Sequence, residues 1–269
     1  MSIKLLAVDL DGTLLNSDQK ISSQTKSALQ KAAKLGINVV PCSGRPFPGV
    51  KGYLDELGLA GDNQYAVTFN GALVFNLKGD ILVKDLHSYQ DLLYFKQVAQ
   101  EYQMPLHVEL EDRFVTLEHF INYHMSRESW LTKMPIDVKT LAEIPKNFHF
   151  TKAMYTGDPD RIKEFLAEMP QEIFTKYNVS TSDETLVEIN TSTASKGHAL
   201  LELGRELGIK PEETMIFGDQ KNDISMFNVA GFKKVAMGNA IEEIKQRADF
   251  VTRSNDEDGI AYALKQLVF

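Results

Sequence analysis

Three short apolar runs near the start of this chain each stop at a small, polar, glycine-containing loop. Ile3 to Val8 runs into Asp9-Leu-Asp11-Gly12-Thr13, Ile37 to Cys42 into Ser43-Gly44-Arg45-Pro46, and Tyr65 to Phe69 into Asn70-Gly71-Ala72. Runs this short, ended this abruptly by glycine, read as buried strands and not as helices. Between the first two, Ser22-Ser23 opens a segment whose Ala28, Leu29, Ala32, Ala33 and Leu35 share one helical face, and Gly36 closes it. Strand and helix alternating in this way constrain the chain to a parallel α/β sheet, whose carboxyl edge is where ligands bind.

The middle of the chain has a different texture. From about Asp85 to Val187 it reads as amphipathic helices (Tyr89 to Tyr102, Asp158 to Met169) and short strands (Pro105 to Glu109, Phe114 to Leu117, His149 to Thr156), with no comparable polar cluster at the strand ends. Trp130 and its neighbours are expected to fill the core of this segment. The α/β rhythm returns with Leu186 to Asn190, the helix start Ser195-Lys196-Gly197, and Thr214-Met-Ile-Phe-Gly218-Asp219. The expected division is therefore a core of residues 1–84 and 188–269, interrupted by an α+β insertion of residues 85–187.

With 269 residues, 43% of them hydrophobic, the chain has room for two moderate domains. Its formal net charge of -8 argues against nucleic acid or an anionic membrane as partner, since either needs a basic patch. The single cysteine, Cys42, excludes a disulfide framework and a cysteine-rich metal site and suits a reducing cytosol. No apolar stretch is long enough to span a membrane, and no basic segment followed by an apolar one marks a signal peptide. A cytoplasmic protein is expected.

Asp9 and Asp11 stand two apart at a strand end, a spacing that sends both carboxylates to one face. Carboxylates forced together are costly unless a cation lies between them or they share a proton. Asp219 and Asp223 add two more acids after another strand. Lys196 opposes the dipole at a helix start, which leaves little structural motive for it there. The six histidines show no metal spacing, Cys42 reads as a packed apolar residue, and no Gly-x-Gly-x-x-Gly or Walker lysine motif supports nucleotide binding.

Together, Asp9-Leu-Asp11-Gly12-Thr13, Ser43, Lys196 and Gly218-Asp219-Gln-Lys-Asn222-Asp223 resemble the haloacid dehalogenase (HAD) superfamily, specifically its Cof-type (subclass IIB) sugar phosphatases of the YidA-like kind. The resemblance implies a Rossmann-like parallel-sheet core with an inserted α+β cap of the C2B type. It implies hydrolysis of small phosphomonoesters through an aspartyl-phosphate, with Asp9 as nucleophile and Asp11 as general acid–base. For the acid role Asp11 must be protonated near neutral pH, which anionic neighbours would favour. Mg²⁺ is implied on Asp9, the Asp11 backbone carbonyl, Asp219 and Asp223, the last either directly or through water. Gly12, Thr13, Ser43, Gly44, Lys196 and Asn222 are implied to bind phosphate, and Arg45, Asn70 and Gly71 to contact substrate. The cap would set specificity by closing over the site. The implied partner is a small phosphorylated metabolite, and the protein a monomer or homodimer. A phosphomutase is disfavoured by the late, large insertion, and a phospho-aspartate signalling module by chain length and the position of the phosphoacceptor.

Overall fold

Leu5 to Val8 of the first apolar run are buried, with Asp9, in strand β1 (Leu5–Asp9). A computed structural model describes residues 2–59, 64–181 and 183–269. After β1 come α1 (Ser23–Lys34), β2 (Asn38–Cys42), α2 (Phe47–Leu57), β3 (Tyr65–Thr68), β4 (Leu73–Asn76) and β5 (Ile81–Lys84). The middle of the chain supplies β6 (His87–Ser88), α3 (Tyr89–Glu101), β7 (Leu106–Glu109), β8 (Phe114–Thr116), α4 (Tyr123–Thr132), β9 (Ile136–Val138), β10 (His149–Phe150) and β11 (Lys152–Thr156). It continues through α5 (Pro159–Glu168), α6 (Gln171–Lys176), β12 (Tyr177–Ser180) and β13 (Leu186–Thr191). The last third adds α7 (Lys196–Leu207), β14 (Thr214–Gly218), α8 (Ile224–Phe227), β15 (Lys233–Ala236), α9 (Glu242–Lys245), β16 (Phe250–Val251) and α10 (Gly259–Leu267). No helix among the described residues is long and apolar enough to cross a membrane.

The chain divides into two compact units, Met1–Lys84 with Ser195–Phe269, and Asp85–Ala194. The first unit holds a sheet in the order β16-β15-β14-β1-β2-β3-β4-β5. From β16 to β3 the strands are parallel, and β3, β4 and β5 pair antiparallel. Because β1 is flanked by β2 on one side and β14 on the other, the winding reverses direction there, the place where open α/β sheets bind ligands. Register carries the point to residues: Asp9 lies opposite Cys42, and Val8 opposite Phe217. The loops that begin after Asp9, Cys42 and Gly218 therefore leave the same edge on neighbouring strands, each about 4.8 Å from the next. Leu5, Leu6, Val40, Ile216 and Phe217 anchor this edge in the core.

The second unit holds a six-stranded sheet ordered β12-β13-β11-β7-β8-β9. Phe95, Val108, Ala153, Tyr155, Phe165, Val187 and Ile189 pack on one side of it. Here the expected boundary needs correction. Leu186–Thr191 is not a strand of the parallel core; it pairs antiparallel with both β11 and β12, so the chain leaves this unit at Ala194. A buried strand looks the same from either sheet, since its alternation records burial and not its partner. The other face of the same sheet carries a buried charged triad that the sequence reading did not anticipate: Lys152 Nζ lies 3.0 Å from Glu109 Oε2 and 3.0 Å from Glu188 Oε1. His107 is buried on this face, where burial and the Lys152 ammonium press its pKa down to about 3. Trp130 is also corrected: it is 69% exposed, with Lys133 Nζ 4.6 Å from its ring centroid.

Candidate active site

The site grows from three strand ends and one helix start. β1 delivers Asp9, and β14 delivers Asp219 just beyond Gly218. Ser195 caps α7 by accepting from the His198 N–H, which places Lys196 in the first turn. Lys196 Nζ donates to Asp9 Oδ1 at 2.5 Å and to Asp223 Oδ1 at 2.7 Å, and its side chain is fully buried. The second Asp223 oxygen accepts from the backbone N–H groups of Asp219 (2.9 Å) and Gln220 (3.1 Å). Asp223 thus ties the lysine to the turn that carries Asp219. Thr13 Oγ1 donates to Asp219 Oδ1 at 2.9 Å.

Carboxylate oxygens of Asp9, Asp219 and Asp223 lie within 4.8 Å of one another, and all three residues are buried. Burial first, then the Asp223 charge, push the Asp9 carboxyl well above the usual range despite Lys196. Burial also lifts Asp219 to about 6, against the Thr13 hydrogen bond and with the repulsion of Asp223. Burial alone would lower the Lys196 pKa, but Asp223 and Asp9 outweigh it and hold the ammonium charged. Three carboxylates against one ammonium leave an excess of two negative charges in this cluster. The donor set is all oxygen, and the excess matches a divalent cation such as Mg²⁺ or Mn²⁺. The residues fit the metal that the motifs imply.

Asp11 does not join the three acids. β1 ends at Asp9, and the chain turns back so that Leu14 N bonds Asp9 O and Asp11 bridges to Leu15. The two-residue alternation of a strand no longer applies there. The Asp11 carboxylate instead receives Arg45 Nη2 at 2.5 Å and Arg45 Nε at 3.1 Å, with its side chain 51% exposed. The anionic crowding expected around Asp11 is therefore replaced by a guanidinium, and Arg45 takes an ion pair as its partner. Ser43 is buried at the end of β2, its Oγ accepting from Arg45 N at 3.1 Å. Asn70 donates its N–H to Ser43 O, and its buried Oδ1 has no hydrogen-bond partner among the described residues, next to Gly44. Asn222 is exposed on the turn before Asp223.

Gly71 has a role that the substrate-contact expectation overlooked. At φ +103° it comes so close to the start of α7 that a Cβ would lie 2.3 Å from Ser195 O and 2.8 Å from Lys196 N. Its missing side chain lets the third loop seat the lysine. The sequence reading also passed over Asn239, whose Nδ2 donates to Gly12 O at 2.8 Å. A signal was present, because Gly238-Asn239 follows the apolar end of β15 just as glycine-containing loops follow β1 and β2. Cys42 is buried and unreactive, its thiol pushed up by burial.

The haloacid dehalogenase-like hydrolase family matches residues 6–264. YxeH of Bacillus subtilis, whose name assigns it provisionally to the phosphatases, is 37% identical over 98% of this chain and 98% of its own. The 5-amino-6-(5-phospho-D-ribitylamino)uracil phosphatase YwtE of Bacillus subtilis is 30% identical over 99% of this chain and 98% of its own. Among solved structures, the HAD subclass IIB sugar phosphatase BT4131 superposes with a TM-score of 0.75 at 26% identity, covering 98% of each chain. The order of the strand-end motifs, the acid–lysine cluster they form and the family match across nearly the whole chain agree: this protein belongs to the haloacid dehalogenase-like hydrolases.

Proposed function

We propose that this hydrolase is a cytoplasmic, Mg²⁺-dependent phosphatase of small phosphomonoesters, sugar or polyol phosphates, acting through a phosphorylated Asp9. The observation that carries the reading is the Lys196 ammonium bridging Asp9 and Asp223 beside Asp219. Lys196 opposes the rise that burial and Asp223 impose on the Asp9 carboxyl, and a bound cation would add to that opposition, favouring the anionic form that a nucleophile needs. The substrate class is supported by two relatives, one named for a sugar phosphate and one for a phosphoribityl compound.

Asp9, Asp219, Asp223 and the Asp11 carbonyl would hold the cation, which screens the negative charge of an incoming phosphate and orients it. An Asp9 oxygen forms a bond to phosphorus while the ester P–O bond breaks, and Asp11 gives its proton to the leaving alkoxide. Water then attacks phosphorus, Asp11 takes a proton from it, and the bond to Asp9 breaks, releasing phosphate. Lys196 supplies a fixed positive charge where charge accumulates in both steps, without reorganisation. The Ser43 hydroxyl and the N–H groups at Gly12, Gly44 and Asn222 are the proposed phosphate donors, and the Thr13 hydroxyl can join them only by giving up Asp219. Arg45 must exchange Asp11 for substrate, which frees the Asp11 carboxyl to reach the leaving oxygen. We assign leaving-group specificity to the inserted unit.

Phosphate release from a panel of sugar and polyol monophosphates, with Mg²⁺ and with chelator, tests the proposal alongside Asp9→Asn. Release is expected only for the wild type with Mg²⁺. Release that survives Asp9→Asn overturns the mechanism, and an isomerised sugar phosphate without free phosphate makes the enzyme a mutase.

A further inference from the structure

We propose that Asn239 is a positioning residue for the cation site: its amide holds the Gly12 carbonyl and so fixes the peptide next to the Asp11 carbonyl that is offered to the metal, limiting how far Gly12 can let that carbonyl swing. The inference rests on the phosphatase reading through the metal site alone. Asn239 sits in the loop after β15, where its Nδ2 donates to Gly12 O at 2.8 Å and its Oδ1 accepts from Asn255 N at 3.0 Å. Asn255 in turn donates through Nδ2 to Leu15 O at 2.9 Å. Two asparagines thereby grip the turn after β1 at two carbonyls. The same loop is fastened to the other side of the acid cluster, with Ile241 N donating to Asp219 O at 3.0 Å and Met237 N to Gly218 O at 3.1 Å. One connection thus sets the backbones that carry both Asp11 and Asp219.

Gly12 is the reason such a clamp is needed. It lies at φ +79°, and a Cβ there would be 2.5 Å from Asp219 Oδ2, so only glycine admits the approach. Glycine brings freedom with it: its backbone can leave this conformation at little cost. A fixed donor on its carbonyl removes that freedom. The direction of the Asn239 amide follows from its partners, since the reverse would set oxygen against Gly12 O and N–H against the Asn255 N–H. Asn239 is exposed, so water can replace its amide on Gly12 O, and what is lost with the side chain is geometry more than stability.

The test compares Asn239→Ala and Asn239→Leu, the second keeping the bulk and losing the donor. Three quantities are read: Mg²⁺ and Mn²⁺ affinity by calorimetry, metal-free unfolding, and phosphate release at low and saturating Mg²⁺. Both variants are expected to bind metal about three- to tenfold more weakly, as the loss of one fixing hydrogen bond implies. Metal-free unfolding is expected to stay unchanged, and phosphate release to recover at saturating Mg²⁺. Unaltered metal affinity overturns the proposal. So does a loss confined to Asn239→Ala, which would make bulk the cause, or a loss matched by lower metal-free stability. Failure of the underlying reading looks different, because the wild type would then bind no metal or release no phosphate.

Discussion

Asp219→Asn should stabilise the metal-free protein while removing its ability to hold the cation. Asp219 is pushed up to about 6 from 3.8 by burial and by Asp223. That gap converts to about 3 kcal/mol of penalty on the folded, ionised state, which solvent screening trims to about 1–2 kcal/mol. The sign follows from which state binds the proton more tightly. At pH above 6 the carboxyl is ionised in both states and the folded protein bears the whole penalty. As pH falls from 6 towards 3.8 the folded carboxyl protonates first, and below 3.8 the penalty is gone. The amide retains an oxygen to accept from Thr13, so the hydrogen bond there survives. Added Mg²⁺ should reverse the order, since a ligand at a hundred times its Kd stabilises the wild type by about 2.7 kcal/mol and the variant by little. Amide hydrogen exchange in β1 and β14 reads the unit that contains the site. In chelator above pH 6, these strands should be better protected in Asp219→Asn, equal below pH 3.8, and less protected than wild type once Mg²⁺ is added. A variant no better protected than wild type in chelator, or an order that Mg²⁺ leaves unchanged, refutes the reasoning.

Other residues give sharp outcomes. Gly71→Ala sets a Cβ 2.3 Å from Ser195 O, so it should displace Lys196 and lower both thermal stability and phosphate release, measurable by calorimetry and a phosphate assay. Lys152→Met removes the ammonium that sits between the buried Glu109 and Glu188 carboxylates and should cost about 3–5 kcal/mol in urea unfolding. Adding Glu109→Gln and Glu188→Gln to it should restore most of that loss. Asp11→Asn should lower kcat by roughly 10²- to 10⁴-fold while Mg²⁺ affinity, which uses only its backbone oxygen, stays near wild type in calorimetry.

Much of the first unit was legible because its strands are short, buried and ended by glycine, a pattern that few other structures produce. Asp9, Asp219, Asp223 and Lys196 were legible as a group because several acids gathered at strand ends are costly without a cation and a lysine at a helix start opposes the dipole, even though Asp223 also caps its own turn. What escaped the sequence depended on partners that one strand cannot reveal. β13 alternates as a core strand would, yet pairs within the inserted unit. Asp11 was expected beside Asp9 by strand geometry, but the turn that begins at Asp9 sends its carboxylate to Arg45. Glu109, Lys152 and Glu188 stand on separate strands, and only the order β13-β11-β7 makes a triad of them. Gly71 and Asn239 act through the backbone of distant segments, a contact that local spacing does not encode.

The central claim is that Asp9 carries the phosphoryl group between ester and water. Rapid acid quench of the Mg²⁺-loaded enzyme with a phosphorus-labelled sugar phosphate, followed by proteolysis and peptide mapping, addresses it directly. Label is predicted on the peptide containing Asp9, released by hydroxylamine and absent from Asp9→Asn. Phosphate formed in the same turnover with no label on the protein, or with label on another residue, would contradict the account.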